Sequence, residues 1–402
     1  MRDSWVTVRL GDVLRRRTDR LGDRAEPRIL TCTEGHGLVD QMLHLGRRAA
    51  SRDVRAYKIV GAHDVVYNVY LLWLGAIGQN TTGLTCITSP VYEVFSPVGD
   101  VEPRYLALLL QSPQMVERYG AISIGTVPRR RRAPWEDFVR LQVELPPLAE
   151  QRRIVDLITA IDDTLAAAED TLKGASRLLD SLREDFYVTG SMPSKPLGAL
   201  VTMRSGPSWK ATDESPSKKE GYAPVLGITN TPAGRRLDLL QQKFVRGLSG
   251  TVMRLNDSSL IMIRTNGNRA RIGNVYRATA AVAGYAVSAF QITIEPRRVA
   301  DSPFLYWILG TPSIQQRISE AASGSTGLGN VAIGWLKELV VPYSEGSVQV
   351  ADFVETCEAI AAVADEAQVE ANSLQVLRSE LLTALLSGEH AIPESYDELI
   401  GA

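Results

Sequence analysis

The sequence predicts an α+β fold built as a duplicated unit, with two mixed α/β domains separated by two long coiled-coil helices. Three observations carry this reading: two heptad seams, a set of motifs that recurs at a nearly constant offset, and β-rich segments bounded by turn residues. The 402 residues are enough for two or three domains, each able to bury its own core. Apolar residues make up 45% of the chain and charged residues 22%, the balance of a globular protein rather than a disordered one.

The first seam runs Ile154, Ile158, Ile161, Leu165, Ala168, Leu172, Ala175, Leu179, Leu182 and Phe186. Its steps alternate between four and three residues, which is heptad spacing. It predicts a helix over about 148–188, on the order of 60 Å long at a rise of about 1.5 Å per residue. Gly174 inside it costs about 1 kcal/mol relative to alanine and is tolerated. A helix this long needs a partner. A second seam supplies one: Phe353, Cys357, Ile360, Ala364, Ala367, Ala371, Leu374, then Leu377 or Arg378, Leu381 and Leu385. The alanines in its middle let two helices approach closely.

The repeat extends beyond the helices. Leu145-Pro146-Pro147 ahead of the first helix answers Val341-Pro342-Tyr343 ahead of the second, at an offset of 196. At an offset of 199, Tyr105-Leu106, Leu109-Leu110 and Ser112-Pro113 answer Phe304-Leu305, Ile308-Leu309 and Thr311-Pro312. Ser89, Tyr92 and Val94 answer Ser288, Gln291 and Thr293, and Leu10-Gly11 answers Leu197-Gly198. Each copy is a body of about 150 residues followed by a long helix. Within the bodies, β-rich runs predict strands at Val65–Tyr67, 91–95, Leu260–Ile263 and 290–294, and one helix follows in each, over 103–119 and 302–321. The resulting segments are a first domain over 1–145, a helix over 146–190, a second domain over 191–342, a helix over 343–390 and a tail over 391–402.

The net charge of −2 hides a segregation. Residues 1–140 carry +5 and residues 191–340 carry +9, whereas 141–190 carry −5 and 341–402 carry −11. Basic domains concentrate a field where phosphates can be met, while acidic helices stay off nucleic acid or face a basic partner. Simple solvation would explain the helices but not the domains.

Base readout needs forked donors and amides, and positioning needs cations at phosphates. In the first domain the run Arg129, Arg130, Arg131 and Arg132 is the strongest phosphate candidate, followed by Arg47, Arg48, Arg52 and Arg55 at near-helical or loop spacing. Tyr67, Asn68 and Tyr70 read as core or turn residues at a strand end. In the second domain, Arg264, Thr265, Asn266, Asn268, Arg269 and Arg271 follow an apolar strand and read as a DNA contact. Asn266-Gly267 also suits a plain tight turn. Lys210, Lys218 and Lys219, near Trp209, read equally as a phosphate clamp or a solvated loop.

Three scattered cysteines and four histidines give no metal-ligand spacing and no disulfide framework. The densest apolar stretch, 65–77, is broken by Asn68 and too short for a bilayer, so a soluble chain in a reducing compartment is expected. There is no methyltransferase Asn-Pro-Pro-Tyr motif, phosphate-binding P-loop or dinucleotide fingerprint, nor HExxH or GxSxG. The expectation is a chain without catalysis.

The stretch Leu145-Pro146-Pro147-Leu148-Ala149-Glu150-Gln151-Arg152-Arg153-Ile154-Val155, opening a heptad helix that ends Leu182-Arg183-Glu184, resembles the central conserved region of type I restriction–modification specificity subunits. The opening from Trp5 to Val13 is similar to that family's domain start, as is Arg264-Thr265-Asn266-Gly267 followed by Ile272-Gly273. The resemblance covers about 5–386. It implies two target-recognition domains, each reading one half of a split double-stranded DNA target. It also implies long helices that pair antiparallel, with pseudo-two-fold symmetry, as a ruler between half-sites. The family's subunit is non-catalytic. It docks two adenine methyltransferase subunits, which hold S-adenosylmethionine, so no cofactor is expected in this chain. A restriction motor-nuclease subunit can join them in this cytoplasmic phage-defence complex, which involves no membrane. Pro146, Pro147, Glu150, Gln151 and Arg152 are the partner-binding residues that the resemblance implies. The second copy departs from the pattern, with Val341-Pro342-Tyr343-Ser344-Glu345-Gly346 in place of Pro-Pro and Glu-Gln. The alternative is a non-catalytic coiled-coil protein-interaction scaffold in a defence assembly, without salt-dependent DNA binding.

Overall fold

The computed structural model describes residues 4–125, 131–190, 192–323 and 327–399. It divides into one unit formed by Met1–Ala167 with Glu370–Ala402 and another formed by Ala168–Val369. The division falls within both long helices, Leu148–Thr189 and Val348–Leu386.

In the first unit, strand Val6–Arg9 pairs antiparallel with Gln142–Leu145, just ahead of the long helix. Among the described residues two four-stranded sheets follow. One is ordered Leu14–Arg17, Glu93–Pro97, Val65–Tyr67, Ile77–Gln79, all antiparallel; the other is Gly37–Asp40, Ile29–Thr33, Cys86–Thr88, Lys58–Val60, with a parallel pair at its centre. Apolar side chains from the first sheet and the helices Pro103–Leu110 and Pro113–Ile122 build the main core, centred on Tyr67, Phe95, Tyr119 and Phe138. The helix segments close it: Ile154 and Ile158 share this core with Leu385, and Asp162 pairs with Arg378. Positions rise along one helix as their partners fall along the other, so the segments run antiparallel.

The second unit repeats the plan. Ser194–Pro196 pairs with Val340–Pro342. The sheet Val201–Ser205, Gln291–Pro296, Leu260–Ile263, Val275–Arg277 matches the first unit's antiparallel sheet strand for strand. The other sheet keeps the parallel pair, here Tyr222–Leu226 with Ala286–Val287, but at its edge, with both further strands on the Tyr222–Leu226 side. Its core joins Phe304, Leu305, Ile308 and Ile314 to the helix residues Leu179, Phe353, Cys357 and Ala361. Phe186 stacks on Phe353 with ring centres 4.0 Å apart.

The seams hold. Every position of the first is buried or half-buried, and in the second Arg378 takes the place that Leu377, exposed, leaves. The shorter helices need correction: 103–119 is two helices broken at Gln111-Ser112, and 302–321 is two broken at Gly310-Thr311. Pro113 and Pro312 lack an N–H and clash with a preceding turn, so each starts a new helix instead of continuing one. The Ser112 hydroxyl caps the first of these by accepting from Met115 N at 3.3 Å. The strand expected over 91–95 begins only at Glu93, because Tyr92 N bonds back to Ser89 O at 3.1 Å in a turn. The strand expected from Phe290 begins at Gln291.

One close approach depends on glycine. A Cβ at Gly206 would fall inside the van der Waals radii of the Val287 and Ser288 carbonyl oxygens. Gly206→Ala is therefore expected to cost about 3 kcal/mol by overpacking, read as a lower urea midpoint. An unchanged midpoint would mean that the backbone shifts there freely.

Candidate nucleic-acid interface

In the second unit a cleft of about 520 Å³ lies beside the strand Thr265–Asn266, which pairs with Gly329–Asn330. Asn266, Gly267, Trp209, Thr229, Phe290 and Leu328 line it. These positions lie far apart in sequence, and the sheet connections bring them together. Behind the cleft the buried Gln291 amide ties two lining residues, Gly227 and Ser288, together. Its nitrogen donates to Gly227 O at 3.0 Å and Thr231 Oγ1 at 3.1 Å, while its oxygen accepts from Ser288 N at 3.1 Å and Ser288 Oγ at 2.9 Å. On one wall Glu214 accepts from the Trp209 indole at 2.8 Å and from Lys243 at 3.0 Å. Those two bonds hold its carboxyl below the usual range.

The cluster 264–271 separates into two groups. Arg264 donates to Val331 O at 3.2 Å and Ser205 Oγ at 3.1 Å, and Arg271 donates to Thr231 O and, at 3.4 Å, to Tyr276 Oη. Both are half-buried, with these donors bonded within the fold. Thr265 Oγ1 donates to Asn330 Oδ1 at 2.8 Å. Asn266 Oδ1 accepts from Asn268 N at 2.9 Å and Asn268 Oδ1 from Ala270 N at 3.1 Å. The turn reading is thus realised in the oxygens, which leaves the Asn266 amide nitrogen as a donor lining the cleft. Arg269 is exposed, as are Lys210, Lys218 and Lys219. Lys219 lies 5.8 Å from the Tyr222 ring centre.

The first unit has the matching place. Ala133 N donates to Val69 O at 2.8 Å, as Val331 N donates to Arg264 O at 3.1 Å, and the bridge Ile124↔Arg132 answers Ser323↔Asn330. Arg132 therefore stands where Asn330 stands in the second unit, two residues from Leu328 at the cleft. Arg132 is exposed. Arg131, half-buried, donates to Gly120 O at 2.7 Å and Ser123 O at 3.2 Å at the end of the helix before it, and lies 5.1 Å from the Trp73 ring centre. Arg129 and Arg130 lie outside the described residues. Arg47 and Arg52 are exposed, whereas Arg48 is paired with Glu26 at 2.5 Å. Tyr67 and Asn68 are buried, in keeping with core and turn.

Two solved structures are similar to this chain over nearly its whole length. A type I restriction–modification system S subunit from M. genitalium aligns with a TM-score of 0.58 at 16% identity, covering 95% of this chain and 96% of that one. A chain from work on complex assembly and conformational transition of the type I R-M system aligns with a TM-score of 0.56, also at 16% identity, covering 96% and 98%. This chain has the S-subunit fold. No family model matches the chain, and no curated relative does.

Within the S-subunit fold, the start of the first long helix is more tightly bound than the sequence suggests. Gln151 is buried; its nitrogen donates to Pro146 O at 2.8 Å and its oxygen accepts from Glu102 N at 2.8 Å. Its expected place on a partner surface is corrected to an internal tie between strand end, helix start and the helix Pro103–Leu110. Pro146 is buried too, Glu150 is half-buried, and Pro147 and Arg152 are exposed. Arg153 grips the tail through Asp397 at 2.7 and 2.8 Å, holding that carboxyl below the usual range. Among the described residues no His, Cys, Asp and Glu cluster suits a metal ion, and no helix is long and apolar enough to cross a membrane. The residues that sequence reasoning missed, Thr229, Phe290 and Leu328, carry no motif. Phe290 and Leu328 offered only apolar character just ahead of a strand, and Thr229 offered no signal.

Proposed function

We propose that this chain is the DNA sequence-specificity subunit of a type I restriction–modification methyltransferase. The observation that carries it is the duplicated S-subunit fold, in which Arg132 is exposed in the first copy and, in the second, Asn266 and the exposed Arg269 stand on and just after the strand paired with the counterpart position Asn330. Each domain reads one half of a split double-stranded target. In the second, the Asn266 amide nitrogen reads a base-edge acceptor, and Arg269 with Lys210, Lys218 and Lys219 meets phosphates. The long helices set the gap between half-sites, which must suit the helical repeat of DNA. The chain itself performs no chemistry. Two methyltransferase subunits, which bind S-adenosylmethionine, dock near the exposed Pro147 and Arg152, and a restriction motor-nuclease subunit is a further partner of this cytoplasmic complex.

The test is to purify the chain with its methyltransferase partner and map the methylated adenines. One bipartite motif is expected. Asn266→Ala should relax the choice at one half-site by about 1 kcal/mol of discrimination, leaving the other half-site intact. Failure to form a complex, or methylation without a motif, would reject the proposal. A folded chain with no salt-dependent DNA binding would favour the scaffold reading instead.

A further inference from the structure

The second unit carries an ionic cluster that DNA reading leaves unused. It lies where the α/β domain meets the helix Val348–Leu386, around a groove of about 470 Å³. Glu358 on the helix accepts from the Arg277 guanidinium and, at 2.8 Å, from the Trp307 indole. Asp365, further along, pairs with Arg235 at 2.6 Å and Arg236 at 3.0 Å. Arg235 also donates to Ala361 O at 3.2 Å. Arg277 lies over two rings, 4.2 Å from the Tyr306 centre and 5.2 Å from that of Trp307. Burial by itself raises the Glu358 carboxyl, but the bonds from Arg277 and Trp307 outweigh it and hold the group below the usual range.

A lone exposed ion pair holds little. Here Glu358 with Arg277 and Trp307, and Asp365 with Arg235 and the exposed Arg236, form two clusters along one helix, linked where Arg235 lies 6.0 Å from the Trp307 ring centre. The first copy lacks these groups. At the offset of 199 that relates Pro113 to Pro312, Glu358 falls on Thr159, Asp365 on Ala166 and Trp307 on Leu108. Both copies do share the apolar contact between helix and domain, through Ile154 and Ile158 in one and Phe353 and Cys357 in the other. Apolar contact is non-directional and leaves the orientation of one surface on the other loosely fixed. Charge-assisted bonds to forked guanidiniums are directional.

We propose that Glu358 and Asp365 are positioning residues that fix the angle of the second α/β domain on its long helix, clamped by Arg235, Arg236 and Arg277. For DNA, and resting on the proposed specificity role, the clamp restricts the target to one gap between half-sites.

The test places spin labels on the full chain at Ser217→Cys, in an exposed loop of the domain, and Glu355→Cys, exposed on the helix. The native Cys32, Cys86 and Cys357 are buried, which confines labelling to the two new sites. One narrow distance is expected for the parent, and loss of that single distance in E358Q/D365N. Raising salt to about 1 M, where the screening length falls to about 3 Å, should broaden the parent and leave the double variant unchanged. E169Q, in the first helix, where Glu169 pairs only loosely with Lys173 at 3.8 Å, should change nothing. If the double variant does not fold, R277K, which keeps the charge and loses the fork, serves with the same two outcomes. A narrow distance that survives in the variant overturns the clamp. In complex with the methyltransferase, the parent should methylate one gap length and the variant more than one. Broadening without any bipartite target would reject the DNA assignment and leave the clamp standing.

Discussion

Alanine at Phe138 is expected to lower the stability of the first unit by about 4 kcal/mol, the cost of deleting a fully buried aromatic ring. The ring is completely buried, and four others surround it: Tyr67, Phe95, Tyr119 and Trp135, with centres 4.8, 5.5, 5.8 and 6.0 Å away. These rings come from a sheet and two helices, so no single element can move to fill the gap. The effect reaches the basic loop as well. Tyr67 Oη donates to Ala133 O at 3.4 Å, next to Arg132. Urea unfolding of the full chain measures the loss. A change below about 1 kcal/mol, the size of an ordinary substitution, would show that the rings repack.

Removing Lys210, Lys218, Lys219 and Arg269 together is expected to flatten the salt dependence of DNA binding. Each phosphate contact contributes about 0.9 to the slope of log affinity against log salt, so the slope should become shallower by up to about 3.6. Affinity at low salt should fall alike for all sequences, because phosphate contacts carry no base information. Fluorescence anisotropy across a salt series reads both quantities. An unchanged slope would remove this loop from the interface. Arg264→Ala is the informative contrast. Its guanidinium is bonded to Val331 O and Ser205 Oγ, so its loss should lower stability and leave the slope where it was.

The long helices were legible because a heptad seam is a local signal: each residue's burial follows from its distance to the next apolar position. The duplication was legible because motif spacing survives divergence, and the sheets of the two units agree strand for strand in one layer. The destinations of arginines were not legible. Arg131, Arg264 and Arg271 look the same in sequence as Arg132 and Arg269, yet the first three are held by backbone carbonyls. Two of those carbonyls come close only through contacts distant in sequence: Arg264 reaches Val331, and Arg271 reaches Thr231. Gln151 is similar, since its acceptor role depends on Glu102 N, 49 residues away. The cleft was legible in part. Asn266 stood out as an amide after a strand, but Phe290 and Leu328 meet it only through the fold.

The clamp between Glu358, Asp365 and their arginines bears on how such a chain can be diversified by recombination. Transplanting the second domain onto the first helix would set Arg235, Arg236 and Arg277 against Thr159 and Ala166, stranding three cations without carboxylates. Transplanting it with Val348–Leu386 keeps the match. The smallest cassette that can be shuffled without repair is therefore a domain together with the helix that follows it, and a crossover placed at the Val341-Pro342 junction would cut through that cassette.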